Sequence, residues 1–154
     1  MPLTVNFCAW LYLQPKGGII TLYEKSCGAV VYRKHHGNTE ILLIKHINSG
    51  HWSFPKGHTE NDETEIETAY REIREETGID VMIDPTFRET VTYFPRKDTQ
   101  KVVVYFIAKA KNREYVRQEN EIADIKWVDI CRAKDVLTFE NDKLIVNKAK
   151  SMIH

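Results

Sequence analysis

Residues 57–79 read Gly-His-Thr-Glu-Asn-Asp-Glu-Thr-Glu-Ile-Glu-Thr-Ala-Tyr-Arg-Glu-Ile-Arg-Glu-Glu-Thr-Gly-Ile, and most of that stretch reads as a helix with two unequal faces. Thr64 to Thr77 is long, charged and free of proline, and Gly78 stands where a helix C-terminus favours a residue able to take positive φ. Glu72, Glu75 and Glu76 occupy i, i+3 and i+4, so at about 100° per residue their carboxylates share one arc. Ile66, Ala69, Tyr70 and Ile73 form a separate stripe expected to pack on a sheet. Three like charges on neighbouring positions repel, and a helix built only for stability would interleave more cations. A bound cation resolves the conflict. Carboxylate oxygens alone suit a hard ion, magnesium or manganese, which tolerates phosphates and waters in its remaining positions. Arg71, one turn before Glu75, can hold a carboxylate in orientation.

On either side of this helix lie short runs rich in Val, Ile, Leu and Tyr. Gly28 to Arg33 and Ile41 to Lys45, separated by the polar stretch around His36-Gly37-Asn38, predict a β-hairpin. Phe87 to Phe94 and Lys101 to Lys109 predict two longer strands joined by a turn at Pro95 to Thr99, and Ile122 to Val128 predicts another. Asn141 to Met152, with Leu144, Ile145 and Ala149, predicts an amphipathic closing helix. Strands with two interspersed helices imply an α/β (α+β) architecture: a mixed β-sheet sandwiched between α-helices.

The 154 residues suffice for one domain. Apolar residues at 42% and charged residues at 29% argue against disorder. With 22 basic and 22 acidic residues the net charge is zero, so neither duplex nucleic acid nor an anionic membrane is an expected partner, and an anionic ligand must find a local basic pocket. Cys8, Cys27 and Cys131 are too dispersed for a zinc ribbon or redox motif and are expected to be buried or free thiols in a reducing cytoplasm. The histidines His35, His36, His46, His51 and His58 fall on expected loops or strand ends. Phe7 to Leu13 is too short to span a bilayer, and no basic segment precedes it as in a secretory signal. Residues 1–21 read as an N-terminal extension of uncertain status, ahead of the main domain at 22–154. They are either a leader translated from upstream of a start at Leu22, with Lys16-Gly17-Gly18 encoded by a purine-rich tract, or a genuine extra strand or arm.

Gly57, five residues, Glu63, seven residues, and then Arg71-Glu72-Ile73-Arg74-Glu75-Glu76-Thr77-Gly78-Ile79 resembles the Nudix box, with every specified position filled. A chance match is on the order of one in ten million at average residue frequencies. The resemblance implies the Nudix fold and metal-assisted attack of water at phosphorus. It also implies Glu72, Glu75 and Glu76 as metal ligands, the Gly57 carbonyl as another, and Glu63 as support for the loop and helix.

Across about residues 26–150 the chain is similar to the asymmetrical diadenosine tetraphosphate hydrolases. The similarity runs through Cys27-Gly28, Leu42-Leu43, His51-Trp52, Pro55-Lys56-Gly57-His58, Tyr93, Lys101, Tyr105 and Trp127. It implies a nucleotide polyphosphate substrate, contacted by His51, Lys56, Tyr93, Lys101 and Tyr105. Glu121, six residues before Trp127, stands at that group's spacing for a glutamate near the metals, and becomes a further ligand or catalytic base beside Glu75 and Arg71. Glu119 in the same loop is its rival. The chain departs from the group at Ser53-Phe54, in place of a usual Thr-Pro pair, and in a longer turn near Asp98.

From the residues alone, Lys56, His51, Arg96, Lys97 and Lys101 can supply local positive charge. Tyr93 can stack on adenine or pack across strands, and Trp52 and Trp127 are expected to pack in the core. A nucleoside triphosphate pyrophosphohydrolase, an RNA 5′-end pyrophosphohydrolase and a non-catalytic nucleotide sensor stay open as alternatives.

Overall fold

Every strand-forming run on either side of the glutamate helix joins one mixed sheet in the structure, a computed structural model that describes residues 10–12 and 21–154. The strands are β1 (Trp10–Tyr12), β2 (Thr21–His35), β3 (Asn38–His46), β4 (Trp52–Ser53), β5 (Lys56–His58), β6 (Val81–Arg96), β7 (Thr99–Ala110) and β8 (Ile122–Asp129). The helices are α1 (Glu65–Thr77), α2 (Ala133–Val136) and α3 (Glu140–Met152). The main order is β4-β3-β2-β7-β6, with β1 and β5 also on β2 and β8 on β3. β2 and β7 run parallel from Leu22 opposite Thr99 to Tyr32 opposite Lys109, and the other pairs are antiparallel. The leader-or-arm question for 1–21 falls, apart from β1 and Thr21, outside the described residues, as does Cys8.

The expected hairpin turns at His36-Gly37, both with positive φ (48° and 80°), so His35 pairs directly with Asn38. Two such residues match the right-handed twist of the flanking strands. β2 begins seven positions before the expected Gly28, because β7 pairs along most of its length. β6 is likewise longer than Phe87 to Phe94; its ladder is interrupted between Asp84 and Glu89, around Pro85, which has no N–H to donate.

Residue parity sorts the core into two layers. Cys27, Ala29 and Val31 of β2 and Val104 and Phe106 of β7 pack with Ala69 and Ile73 of α1. Val30, Val103 and Ile107 face the opposite way and pack with Ile145, Val146 and Ala149 of α3. The sheet is thus covered by one helix on each face, as the patterning implied.

Both ends of α1 follow the local signals. Thr64 and Glu67 form a reciprocal capping box, and Gly78 (φ 68°) closes the C-terminus through its N–H to the Arg74 carbonyl at 2.8 Å. One member of the expected apolar stripe fails: Ile66 is exposed. Its turn is held instead by ion pairs from Glu65 to Lys25 (2.6 Å) and Arg88 (2.7 Å). None of the helices among the described residues is long and apolar enough to cross a membrane.

Candidate active site

β2 pairs with β3 only between Tyr32 and His35. Nearer its start the same edge is taken by β5, with Ser26, Cys27 and Gly28 opposite His58, Gly57 and Lys56. The matching edge of β3 is taken by β4, with Ile44 opposite Ser53 and Lys45 opposite Trp52. The sheet therefore parts between β2 and β3, and the chain from Trp52 to His58 fills the parting. Beside it opens a cleft of about 920 Å³. Two glycines permit the close approach of backbones here. A Cβ on Gly57 would occupy the space of the Glu72 carboxylate, and one on Gly28 would collide with the Pro55 carbonyl and the Lys56 side chain.

Helix α1 delivers Glu72, Glu75 and Glu76 to the cleft. Glu76 is 3% exposed and accepts a hydrogen bond from the Lys56 backbone N–H at 3.2 Å. Burial pushes its carboxyl well above the usual carboxylate range, repulsion from Glu72 adds to this, and Lys56 opposes it. Burial raises Glu72 too, against Arg71, while Glu75 and Glu121 push it further up.

Arg71 ties these parts together. Its Nε and Nη2 donate to the two oxygens of Glu63 at 2.6 and 3.0 Å, Nη1 donates to Glu72 (2.8 Å) and Glu75 (3.2 Å), and Nη2 also reaches the His58 carbonyl at 2.9 Å. Among the described residues no three carboxylate, imidazole or thiol groups converge as ready metal ligands, and Arg71 engages Glu72 and Glu75 instead. The donor set still fits a hard divalent ion. It consists of oxygens only, the carboxyls of Glu72 and Glu76 are raised by burial and by repulsion from neighbouring carboxylates, and Gly57 lets the main chain of β5 lie against Glu72.

The loop 111–121 brings in a fourth carboxylate. Val116 and Gln118 donate their N–H groups to the Thr77 and Glu76 carbonyls at 2.8 and 3.2 Å, satisfying the end of α1, and the Glu121 carbonyl accepts from Ile47 N–H at 2.9 Å. Gln118 and Glu121 line the cleft, and Glu119 does not.

Facing the carboxylates is a group of cations and imidazoles: Lys56 and His58 of β5, Lys101 of β7, His46 of β3 and Arg96 of β6. Burial and repulsion from Lys56 lower the Lys101 ammonium, with Glu24 opposing. Burial holds His46 down at about 4, helped by Lys56, His51 and Lys101. The Ser53 hydroxyl donates to the Phe54 carbonyl (3.2 Å) and shares a hydrogen bond with His46 Nε2 at 3.0 Å. Glu24 accepts from Arg96 Nη2 at 3.1 Å and lies 3.6 Å from His58 Nε2. The two charge groups meet at Lys56 and Gly57, and Tyr93, 38% exposed, stands in the wall.

Of the residues singled out from sequence, Gly57, Glu72, Glu75, Glu76, Glu121, Lys56, Tyr93, Lys101 and Arg96 line this cleft, with Arg71 bonded to its carboxylates. Two expected substrate contacts do not. Tyr105 is 1% exposed, because its place on β7 turns it toward the α3 core, where its hydroxyl donates to Asp142 at 3.2 Å. The His51 ring packs edge-on against Phe139 at 4.8 Å, and it sits outside the lining. Lys97 is outside it as well. Trp52 and Trp127 are half-buried against the two cores, each capped by a cation at 4.3 Å, Lys126 and Arg33 respectively. Cys27 and Cys131 are free thiols.

Sequence reasoning missed Glu24, Ser26, His46 and His58 as cleft residues. A signal existed in β2: Glu24 and Ser26 are polar residues at a spacing of two, on the strand face that carries Val30 further along. His46 and His58 carry no such mark, since each enters the cleft only through strand pairing.

Comparison with known proteins agrees with this construction. A NUDIX domain profile matches residues 22–147. The rat bis(5′-nucleosyl)-tetraphosphatase [asymmetrical] is 31% identical over 140 residues, 84% of this chain and 95% of that protein. The crystal structure of a C. elegans Ap4A hydrolase binary complex superposes with a TM-score of 0.77 at 30% identity, covering 84% of this chain and 96% of that one. An 8-oxo-(d)GTP phosphatase of Mycolicibacterium smegmatis is 30% identical over 133 residues, 80% of this chain and 40% of that protein. The chain therefore belongs to the Nudix family, as a hydrolase of acid anhydrides in phosphorus-containing compounds.

Proposed function

We propose that the protein hydrolyses a phosphoanhydride bond of a dinucleoside polyphosphate, such as diadenosine tetraphosphate, with magnesium or manganese as cofactor. The observation that carries this reading is the two-part cleft. Four carboxylates, Glu72, Glu75, Glu76 and Glu121, lie beside Lys56, Lys101 and Arg96, with an aromatic ring in the wall. The likeness to the rat and nematode hydrolases over most of both chains supports the same substrate class.

In this reading the carboxylates and the Gly57 carbonyl hold the ion, and Arg71 keeps Glu72 and Glu75 oriented. A divalent ion bound there supplies Lewis-acid stabilisation of phosphate charge and acidifies bound water. Lys56, Lys101 and Arg96 hold the non-reacting phosphates, and Tyr93 stacks on a base. Glu121 orients or deprotonates the attacking water, reaching the cleft from a loop outside the helix. The free thiols Cys27 and Cys131 are consistent with a cytoplasmic setting, and zero net charge disfavours duplex nucleic acid as a partner.

A second reading, hydrolysis of a damaged nucleoside triphosphate, draws on the likeness to the M. smegmatis phosphatase. Incubation with magnesium and a nucleotide panel, followed by chromatography, separates the two. ATP plus AMP from diadenosine tetraphosphate is the expected result. Monophosphate plus pyrophosphate from a triphosphate, with diadenosine tetraphosphate untouched, would replace it.

A further inference from the structure

Of the described side chains, two are buried with a polar atom that finds no hydrogen-bond partner: Ser26 Oγ and Trp127 Nε1. Only Ser26 lines the cleft. It is 1% exposed, and its neighbours on the sheet are all accounted for. Across one ladder it faces His58 and across the other Val103. Two positions before it, Glu24 is engaged by Arg96 and lies beside His58. Two positions after it, Gly28 leaves its side-chain space to Lys56 and Pro55. By strand parity Ser26 shares its sheet face with Glu24 and with Lys101, the residue opposite Glu24.

A buried hydroxyl without a partner costs stability, and alanine would fill the same space without that cost. The cost is not offset inside the protein, so it points to a partner that arrives from the cleft. Lys56 and Lys101 attract an anion but give it little direction, since an ammonium is a flexible point charge. A short hydroxyl fixed on the central strand supplies direction. One staggered step about the Cα–Cβ bond changes where Oγ points without moving the backbone.

We infer that Ser26 is a substrate-positioning residue whose hydroxyl donates a hydrogen bond to a non-bridging oxygen of the polyphosphate, beside Lys56 and Lys101. This rests on the reading of the cleft's cationic side as the phosphate-binding side. The ligand class is an extended phosphate chain.

The test is Ser26→Ala, with inorganic tripolyphosphate as probe. Calorimetric titration in the presence of a chelator should give a Kd about tenfold weaker than wild type, the size of one hydrogen bond to a charged acceptor. Thermal melting of the ligand-free variant should be unchanged or raised, which a hydroxyl serving only the fold would not allow. With diadenosine tetraphosphate, KM should rise with little change in kcat. An unchanged Kd for tripolyphosphate overturns the inference, as does a lowered melting temperature. Wild-type protein that fails to bind tripolyphosphate overturns it too, because the anion site itself would be absent. The substrate reading fails separately, on the products released from the nucleotide panel, whatever the Ser26 titration shows.

Discussion

The guanidinium of Arg71 grips both oxygens of Glu63, at 2.6 and 3.0 Å, eight residues earlier in the chain. That pair fastens the loop before α1 to the helix, and Glu63 also receives the Glu60 N–H (3.1 Å) and the Thr68 hydroxyl (3.0 Å). Arg71 holds the Glu63 carboxyl down at about 2. The usual carboxylate value is near 4.5, so the stabilisation is full above that pH and is lost as pH falls toward 2. Glu63→Gln should cost ~1–2 kcal/mol of stability near neutral pH, as for a partly buried bidentate pair. Urea melts at pH 7 and pH 3 check this: the gap between variant and wild type should shrink at the lower pH. An equal gap at both would show that the amide's loss lies elsewhere than in the charge.

Glu76 is the buried carboxylate of the helix cluster. Glu76→Gln keeps shape but removes a charge that burial and Glu72 both oppose. The metal-free variant should therefore melt at or above the wild-type temperature, while kcat falls at least ~100-fold. Magnesium should raise the melting temperature of the wild type and do little for the variant. Near-normal turnover at limiting magnesium would remove Glu76 from the ligand set.

Glu121 and Glu119 share a loop, but only Glu121 lines the cleft. Glu121→Gln should lower kcat by ~10²–10⁴-fold with little change in KM, and Glu119→Gln should leave both nearly unchanged. Steady-state kinetics at saturating magnesium measures the contrast. Equal, small effects would return the base role to a helix glutamate such as Glu75.

Tyr93→Ala removes an exposed ring in the cleft wall. It should raise KM for an adenine-bearing substrate more than it lowers kcat, since stacking of ~1–3 kcal/mol is felt in ground and transition states alike. A large loss of melting temperature would show the ring to be a packing element instead.

His46 gives a pH signature of opposite origin. Its ring is held at about 4, against 6.5 when unperturbed, by burial, then Lys56, His51 and Lys101. Above pH 6.5 it is neutral whether the chain is folded or not, and it has no linkage effect. As pH falls from 6.5 to 4 the unfolded chain takes up a proton that the folded chain refuses, so stability drops by on the order of 1–3 kcal/mol. Urea midpoints of His46→Gln and wild type should therefore shift in the variant's favour between pH 7.5 and pH 4.5. A constant difference would mean that the ring protonates freely in the folded protein.

The α1 reading came through because its evidence is local. Thr64, Glu67 and Gly78 mark the helix ends within a few residues of where they act, and i, i+3, i+4 spacing places Glu72, Glu75 and Glu76 on one face in any context. Ile66 failed because the reach of the sheet beneath a helix is not written in the helix. Tyr105 failed for a related reason. In a strand covered on both sides an aromatic residue faces a core either way, and only the placement of Asp142 on α3 settles which.

The sequence by itself determined the glutamate helix and the strands of a mixed sheet, since periodicity and spacing are properties of neighbouring residues, and its resemblance to the Nudix box implied the hydrolytic chemistry. Tertiary structure alone decided which distant residues share the cleft. Glu24, Ser26, His46, Lys101 and Glu121 come from four separate segments, and they meet only because β2 and β3 part and β5 and the 111–121 loop close on the gap. Strand register is a long-range choice, stabilised by both cores at once, so it cannot be read from any one segment.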